Sequence, residues 1–229
     1  MSEVMLQTKN ITRAFPIAGG EEFYALRGID IEIPKGVLAI LKGRSGSGKT
    51  TLLNIISALD FPTDGTVYLN ENEISAMTES EREAFRRMQI GFIFQSVALI
   101  PIMSAYENVD FGLRLAGYQE DRHERVVHCL KQVGLHERMM HMPGELSGGE
   151  QQRVAIARAI AHKPIVIFAD EPTGALDTNT GLLVVKLFKD LIEQEGITIV
   201  MTTHDLGIME LGDVIYEMED GEIVGKNRK

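Results

Sequence analysis

Tryptophan is absent and cysteine occurs once, at Cys129. A single thiol excludes an internal disulfide and fits a reducing compartment. Long apolar runs are missing too. The longest uncharged stretch, Met88–Tyr106, contains Gln89, Gln95, Ser96, Pro101 and Ser104, too many polar residues for a membrane span. The opening MSEVMLQTKN lacks the apolar centre of a signal peptide. Positive charge is in deficit: the net charge is −10 at pH 7, so nucleic acid is not expected as a partner. An acidic surface suits the Lys- and Arg-rich cytoplasmic loops of membrane proteins, and equally serves solubility. Arginine-rich tails, low-complexity tracts and internal repeats are absent. What remains is 229 residues at 44% apolar and 24% charged content, enough for one substantial α/β domain or a core with an inserted subdomain.

GIDIEIP alternates Ile29, Ile31 and Ile33 with polar residues, the period of a half-buried strand. VLAILKG, PIVIFAD and GITIVMTT are short continuous apolar runs, as in buried central strands. VIYEMEDGEIVG reads as two strands around Asp-Gly, the strongest short hairpin signal. TLLNIISAL reads as a helix stopped by DFPTDG. Thr78 with Glu81, and Ser104 with Glu107, have capping-box spacing. Val126, Val127, Leu130 and Val133 make one helical stripe ending at Gly134. Strands thus fill both ends of the chain, whereas residues 96–162 read as almost wholly helical. The expectation is a core α/β sheet, residues 1–95 and 163–229, with a helical subdomain at 96–162.

GRSGSGKT, Gly43–Thr50, fits the phosphate-loop pattern at every required position, follows a strand and opens a helix. Glycines let backbone amides close around phosphate oxygens. Lys49 reaches the β- and γ-phosphates, and the Thr50 hydroxyl suits Mg²⁺. IVIFADE ends an apolar strand in Asp170, a carboxylate for the Mg²⁺ shell, followed by Glu171, placed to polarise an attacking water. His204 ends the next apolar strand, on the same edge if the sheet is parallel. His123, His128, His136, His141 and His162 lack metal-ligand spacing and read as surface residues. Met139, Met140 and Met142 read as packing. LSGGEQQRVAIARA raises a question of its own. Ser147, Gly148 and Gly149 open a helix whose free N–H groups form a second anion seat in a chain that already has one.

GRSGSGKT, FQ, LSGGE, ADEPTGALD and TTHD occur in the order of the nucleotide-binding subunits of ABC transporters, and the chain resembles that family over nearly its whole length. ISALDFPTDG and GELSGGEQQRVAIARAI are similar to the bacterial macrolide-exporter, lipoprotein-release and antimicrobial-peptide-resistance ATPases, with cell-division ATPases as close relatives. The resemblance implies a P-loop NTPase, RecA-like core sheet with N-terminal antiparallel strands and an inserted helical subdomain. It implies MgATP held by Gly43, Arg44, Ser45, Gly46, Ser47, Gly48, Lys49, Thr50 and Thr51. Gln95 matches the family glutamine that touches Mg²⁺ and water, Asp177 the aspartate loop at the subunit interface, and His204 the histidine that holds the γ-phosphate. For the aromatic that stacks on adenine, Phe15 and Tyr24 are both candidates; ITRAFPIAGG is the better match, which favours Phe15.

The resemblance also implies that Ser147, Gly148 and Gly149 cap the ATP held by Lys49 of a second copy, giving a head-to-tail homodimer with two complete sites. The partner it implies is a separate membrane permease, driven from the cytoplasmic face. SVALIPIMSAY is the candidate receiving surface, or else a buried loop feeding a helix. A signalling or cell-division complex that moves no substrate uses the same motor and is the second reading. Two positions depart from the family pattern. Glu150 stands where glutamine is usual, adding charge near a phosphate while suiting the helix dipole by a few tenths to ~1 kcal/mol. Gly174 replaces a common serine, which loosens the ALD loop.

Overall fold

A computed structural model of the chain describes residues 3–228. Its strands are β1 (Val4–Pro16), β2 (Glu22–Ile29), β3 (Glu32–Pro34), β4 (Leu38–Lys42), β5 (Asp64–Leu69), β6 (Asn72–Glu73), β7 (Ile90–Ile93), β8 (Val166–Ala169), β9 (Thr198–Thr203), β10 (Val214–Glu219) and β11 (Glu222–Arg228). Its helices are α1 (Lys49–Ile56), α2 (Glu79–Gln89), α3 (Ala105–Leu115), α4 (Arg122–Gln132), α5 (Gly148–Ile160), α6 (Thr178–Glu195) and α7 (Leu206–Met209).

The apolar runs become the centre of a six-stranded sheet in the order β11-β10-β4-β9-β8-β7. The pairs from β10 to β7 are all parallel, and only β11 runs antiparallel. Strands β8 and β9 are buried at every position, as strands covered on both faces must be. Parallel register brings the C-terminal ends of β4, β8 and β9 to one edge, where ligands of such sheets bind. The β10–β11 hairpin turns through Asp220 (φ 48°) and Gly221 (φ 82°), both in the left-handed region that a two-residue hairpin turn requires.

A second, antiparallel sheet has the order β2-β1-β5-β6, with β3 also paired to β1. The expected GIDIEIP strand is split between β2 and β3. Ile29, Ile31 and Ile33 keep their alternating burial. At the break the Thr8 hydroxyl replaces a ladder partner: it donates to the Ile29 carbonyl and accepts from the Ile31 N–H, both at 2.9 Å.

Helix α1 lies between the two sheets. An eight-residue helix is unstable alone in water. Burial of Leu52, Leu53, Ile55 and Ile56, each worth about 1.5–3 kcal/mol, holds it in place. Beyond its C-terminus the fully buried Arg82 donates to the Ala58 and Asp60 carbonyls and lies 3.7 Å from the centroid of the Phe61 ring. The C-terminal end of the helix behind the phosphate loop is thereby fixed.

No strand falls between Ile93 and Val166 among the described residues. Helices α3, α4 and α5 occupy this segment, begun by Ser104, Asp121 and Ser147 as N-caps. Their apolar faces share one cluster with Leu38, Ile40 and Ile93 of the central sheet, so the helices are rooted in it. The helical expectation fails at 96–103, which is irregular. Asn108 explains that: its side chain accepts from Ile100 N–H and donates to the carbonyls of Ile100, Met103 and Ser104, serving backbone groups that helix would otherwise pair. Two smaller expectations also need correction. His162 is half-buried, bonded to the Ile90 carbonyl at 3.1 Å, and burial pushes its pKa down. Met140 and Met142 are exposed, and only Met139 packs against the core.

Candidate active site

The loop between β4 and α1 has a backbone that only glycine permits at key points. Gly48 has φ 97°, and a Cβ there would lie 2.7 Å from the Ala25 carbonyl oxygen. At Gly43 a Cβ would come within 2.6 Å of Ser47 Oγ. Lys49 is 5% exposed, and its ammonium is drawn back onto the loop, donating to the carbonyls of Gly43 and Arg44 at 2.9 Å each. Ser47 Oγ is buried without a hydrogen-bond partner. A cleft of about 640 Å³ on this loop is lined by Gly43–Ser47, His204 and residues 217–220 at the end of β10.

The strand ends deliver the acids as the apolar runs predicted. Asp170 follows β8, and its Oδ1 accepts from Thr50 Oγ1 at 3.3 Å and from Thr202 Oγ1 at 2.7 Å. Glu171 takes a left-handed backbone (φ 42°), which costs a non-glycine residue about 1–3 kcal/mol and clusters at functional sites. The Thr202 hydroxyl supports that conformation by accepting from Glu171 N–H at 2.8 Å. Glu171 then meets two further residues: Gln95 Nε2 lies 3.3 Å from Oε2, and His204 Nδ1 lies 3.4 Å from Oε1. Thr50, Gln95, Asp170, Glu171 and His204 thus form one group connected through Thr202 at one edge of the sheet, with Lys49 next to Thr50 on the loop. Thr202 was not anticipated. It is wholly buried at the end of β9, and its only sequence signal is a polar side chain closing an apolar run.

Thr50 and Asp170 supply hard oxygen donors side by side, with Gln95 reached through Glu171. That all-oxygen donor set fits a hard divalent cation such as Mg²⁺. Among the described residues no cluster of three or more His, Cys, Asp or Glu side chains suggests another metal.

A second group sits apart from the first. Ser147 caps α5, accepting from Glu150 N–H at 3.3 Å, while the Glu150 carboxylate accepts from Ser147 N–H at 2.8 Å. The departure at Glu150 therefore completes a capping box, and Arg138 Nε pairs the same carboxylate at 3.1 Å. Gly149 lets α5 approach α6: a Cβ there would lie 2.6 Å from Thr180 Cγ2. Thr180 in turn is held by Asp177, the N-cap of α6, whose carboxyl is kept below its ordinary range chiefly by the Thr180 hydroxyl at 2.6 Å. Ser147, Gly148 and Asp177 are exposed. Among the described residues, no hydrogen bond or ion pair links Ser147, Gly148, Gly149 or Asp177 to the phosphate loop, Asp170, Glu171 or His204. Gly174 donates its N–H to the Glu171 carbonyl at 3.0 Å.

Phe15 and Phe23 pair across β1 and β2, with Ala14 opposite Tyr24. The Phe15 ring is 37% exposed, and the Arg13 guanidinium lies 4.5 Å from its centroid. Asp60 holds Arg13 at 3.0 Å. Tyr24 is a strand residue, as expected, with its hydroxyl on Glu22 at 3.0 Å. No helix among the described residues is long and apolar enough to cross a membrane.

Comparison with known proteins agrees with this geometry. A family model described as ABC transporter matches residues 26–174. An uncharacterized ABC transporter ATP-binding protein of Methanocaldococcus jannaschii, MJ0796, is 45% identical over 224 residues, covering 96% of this chain and 95% of the other. The macrolide export ATP-binding/permease protein MacB of Agrobacterium fabrum is 43% identical over all of this chain, which spans only 35% of MacB. Among solved structures, the dimeric post-hydrolysis state of MJ0796 with ADP and Pi has a TM-score of 0.88 at 41% identity, covering 98% of both chains. A phosphate loop, paired strand-end acids and these relatives converge: the chain belongs to the ATP-binding subunits of the ABC transporter family and is an ATPase of that family.

Proposed function

We propose that the chain hydrolyses MgATP in a head-to-tail homodimer and drives a separate membrane permease from the cytoplasmic face. The observation that carries this reading is the split between its two anion seats. The first is complete in cis, with lysine, acids, glutamine and histidine in one group. The second, at Ser147–Gly149, presents Ser147 and Gly148 to solvent and, among the described residues, makes no hydrogen bond to the first group. Two-fold pairing of two copies gives both seats a common phosphate and makes two sites from one interface.

In this reading Lys49 swings from the Gly43 and Arg44 carbonyls to the phosphates, and the Gly43–Thr51 backbone cradles them. Thr50, Asp170 and Gln95 would hold Mg²⁺, which when bound would neutralise phosphate charge. Glu171 orients and polarises the attacking water, and His204 faces the γ-phosphate from the end of β9. The Phe15 ring stacks on adenine. Asp177 keeps the α6 cap adjoining the Ser147 helix end at the subunit interface. Residues 96–162 act as the helical subdomain, turning the Ser147 end against the core as ATP closes the dimer.

The segment after Gln95 supports the permease reading over a buried loop. Ile102 is 83% exposed, Pro101 is exposed, and the backbone is held from beneath by Asn108. An apolar side chain presented on a fixed loop suits a protein partner. Affinity purification of the tagged chain from native membranes tests this. Recovery of one stoichiometric integral membrane protein, lost on Ile102→Asp, is the expected result. Recovery of the same protein with Ile102→Asp at full yield contradicts the assigned surface.

A further inference from the structure

The helix end at Ser147 carries a full negative charge in its first turn, and the surroundings of that charge are specific. Glu150 Oε2 accepts from Ser147 N–H at 2.8 Å, and Oε1 pairs with Arg138 Nε at 3.1 Å. Both carboxylate oxygens therefore have a donor. The Ser147 backbone N–H, most of all, and then the Ser147 hydroxyl hold this carboxyl below its ordinary range, and Arg138 and Arg153 act in the same direction. Glu150 is an anion at neutral pH.

An α-helix attracts anions at its N-terminus with a partial charge of about half a unit. A whole negative charge at the third helical residue, left alone, opposes that attraction. Here it is not alone. Arg138, in the 3₁₀ turn His136–Arg138, comes from outside α5 and returns a positive charge to the flank of the first turn. Glutamine at 150 offers an oxygen and an NH₂ where two donors point at two separate oxygens, so keeping both bonds in this geometry needs a carboxylate. Charge and countercharge belong together.

We propose that Arg138 is a positioning residue for hydrolysis across the dimer: by pairing Glu150 it keeps the Ser147–Gly149 end attractive to the γ-phosphate of ATP bound by a second copy. The proposal rests on the shared-site reading above.

The test is ATP-dependent dimer formation, followed by sedimentation in a Glu171→Gln background, with the ATPase rate measured in the otherwise unaltered chain. Arg138→Gln leaves the Glu150 charge without its partner. Each site then weakens by about threefold. Two symmetric sites raise the dissociation constant of the ATP-bound dimer roughly tenfold. ATP affinity of the monomer stays the same. Adding Glu150→Gln to Arg138→Gln removes the unpaired charge and returns the dimer constant to within about twofold of the parent. Arg138→Lys retains most of the dimerisation.

A purely structural role for Arg138 has a different signature: a lower melting temperature, unrepaired by Glu150→Gln, and normal dimerisation of the folded protein. A folded Arg138→Gln variant that dimerises like the parent overturns the proposal. So does a dimer defect that Glu150→Gln leaves in place. Ser147→Arg in the same assay separates the layers. If it dimerises and hydrolyses normally, the shared-site reading falls and the Arg138 proposal with it. If it fails while Arg138→Gln behaves like the parent, only the Arg138 proposal falls.

Discussion

At Gly43–Thr50 the anion seat is enclosed from beneath, although Arg44, Ser45, Gly46 and Thr50 face solvent. Lys49 is buried, Ser47 Oγ has no partner, and the acids stand within one hydrogen-bonded group. At Ser147–Gly149 the seat presents Ser147 and Gly148 to solvent over a buried Gly149, is tied to the first turn of α6 and, among the described residues, makes no hydrogen bond to the first group. The first is built by strands that meet at one sheet edge, so its backbone is placed before any nucleotide arrives and the Lys49 side chain is what must move. The second is set by a helix cap on a segment that meets the sheet mainly through its apolar underside, with the His162 bond to the Ile90 carbonyl beside it. A rigid half and a separately mounted half are what a site needs if it is to open and close.

The largest expected effect strikes the enclosed half. Lys49→Ala abolishes hydrolysis and weakens ATP binding by about 2–5 kcal/mol, the cost of removing one partner of a buried charge pair. Equilibrium binding of a fluorescent ATP analogue checks it. Glu171→Gln comes next: kcat falls about 10²–10⁴-fold for loss of the general base, while ATP affinity stays within about threefold. If both variants lose affinity equally, the water-polarising role assigned to Glu171 is wrong.

Phe15→Ala is intermediate, raising the KM for ATP by the equivalent of about 1–3 kcal/mol of base stacking. Tyr24 is exposed and its hydroxyl bonds to the exposed Glu22, so Tyr24→Ala changes KM and melting temperature little. A larger KM effect from Tyr24 would transfer the adenine platform to that ring. The smallest effect belongs to the open half. Ser147→Ala removes the cap of α5 and costs about 1 kcal/mol, a shift of about 2–4 °C in Tm for a chain of this size. The Glu150 side of the cap adds a pH signature. Its carboxyl is held below the ordinary value of 4.5, so its contribution is complete above that value and is lost as pH falls through the lower folded value. Thermal melts of the parent and Glu150→Gln should therefore converge in acid and not in alkali.

The enclosed half was largely legible in the sequence, and the physical reason is linear spacing. Gly43, Lys49 and Thr50 are fixed by one turn. Asp170, Glu171 and His204 are fixed by where apolar runs end, once the sheet is parallel. Ser147 and Glu150 also sit at capping-box spacing, three residues apart. What escaped sequence reading depends on partners far along the chain. Thr202 supports Asp170 and Glu171 from the neighbouring strand, Arg138 reaches Glu150 from another turn, and Asn108 suppresses helix at 96–103. Helix α6, with eighteen residues the longest, carries no motif beyond its Asp177 cap and Gly196 stop. The broken β2–β3 strand kept its alternation because burial repeats every two residues whether or not the ladder is continuous. Pattern reports burial; the hydrogen bonds of Thr8 decide where a strand stops.

The central claim is that hydrolysis needs the open half of one copy over the enclosed half of another. The most direct measurement is the ATPase rate and association state of Ser147→Arg, with ATP binding measured on the same sample. The account predicts near-normal ATP binding, because Lys49 and Thr50 of the same chain are untouched, together with loss of ATP-dependent dimers and loss of turnover. A Ser147→Arg chain that remains monomeric at every ATP concentration and still hydrolyses at the parent rate would contradict it.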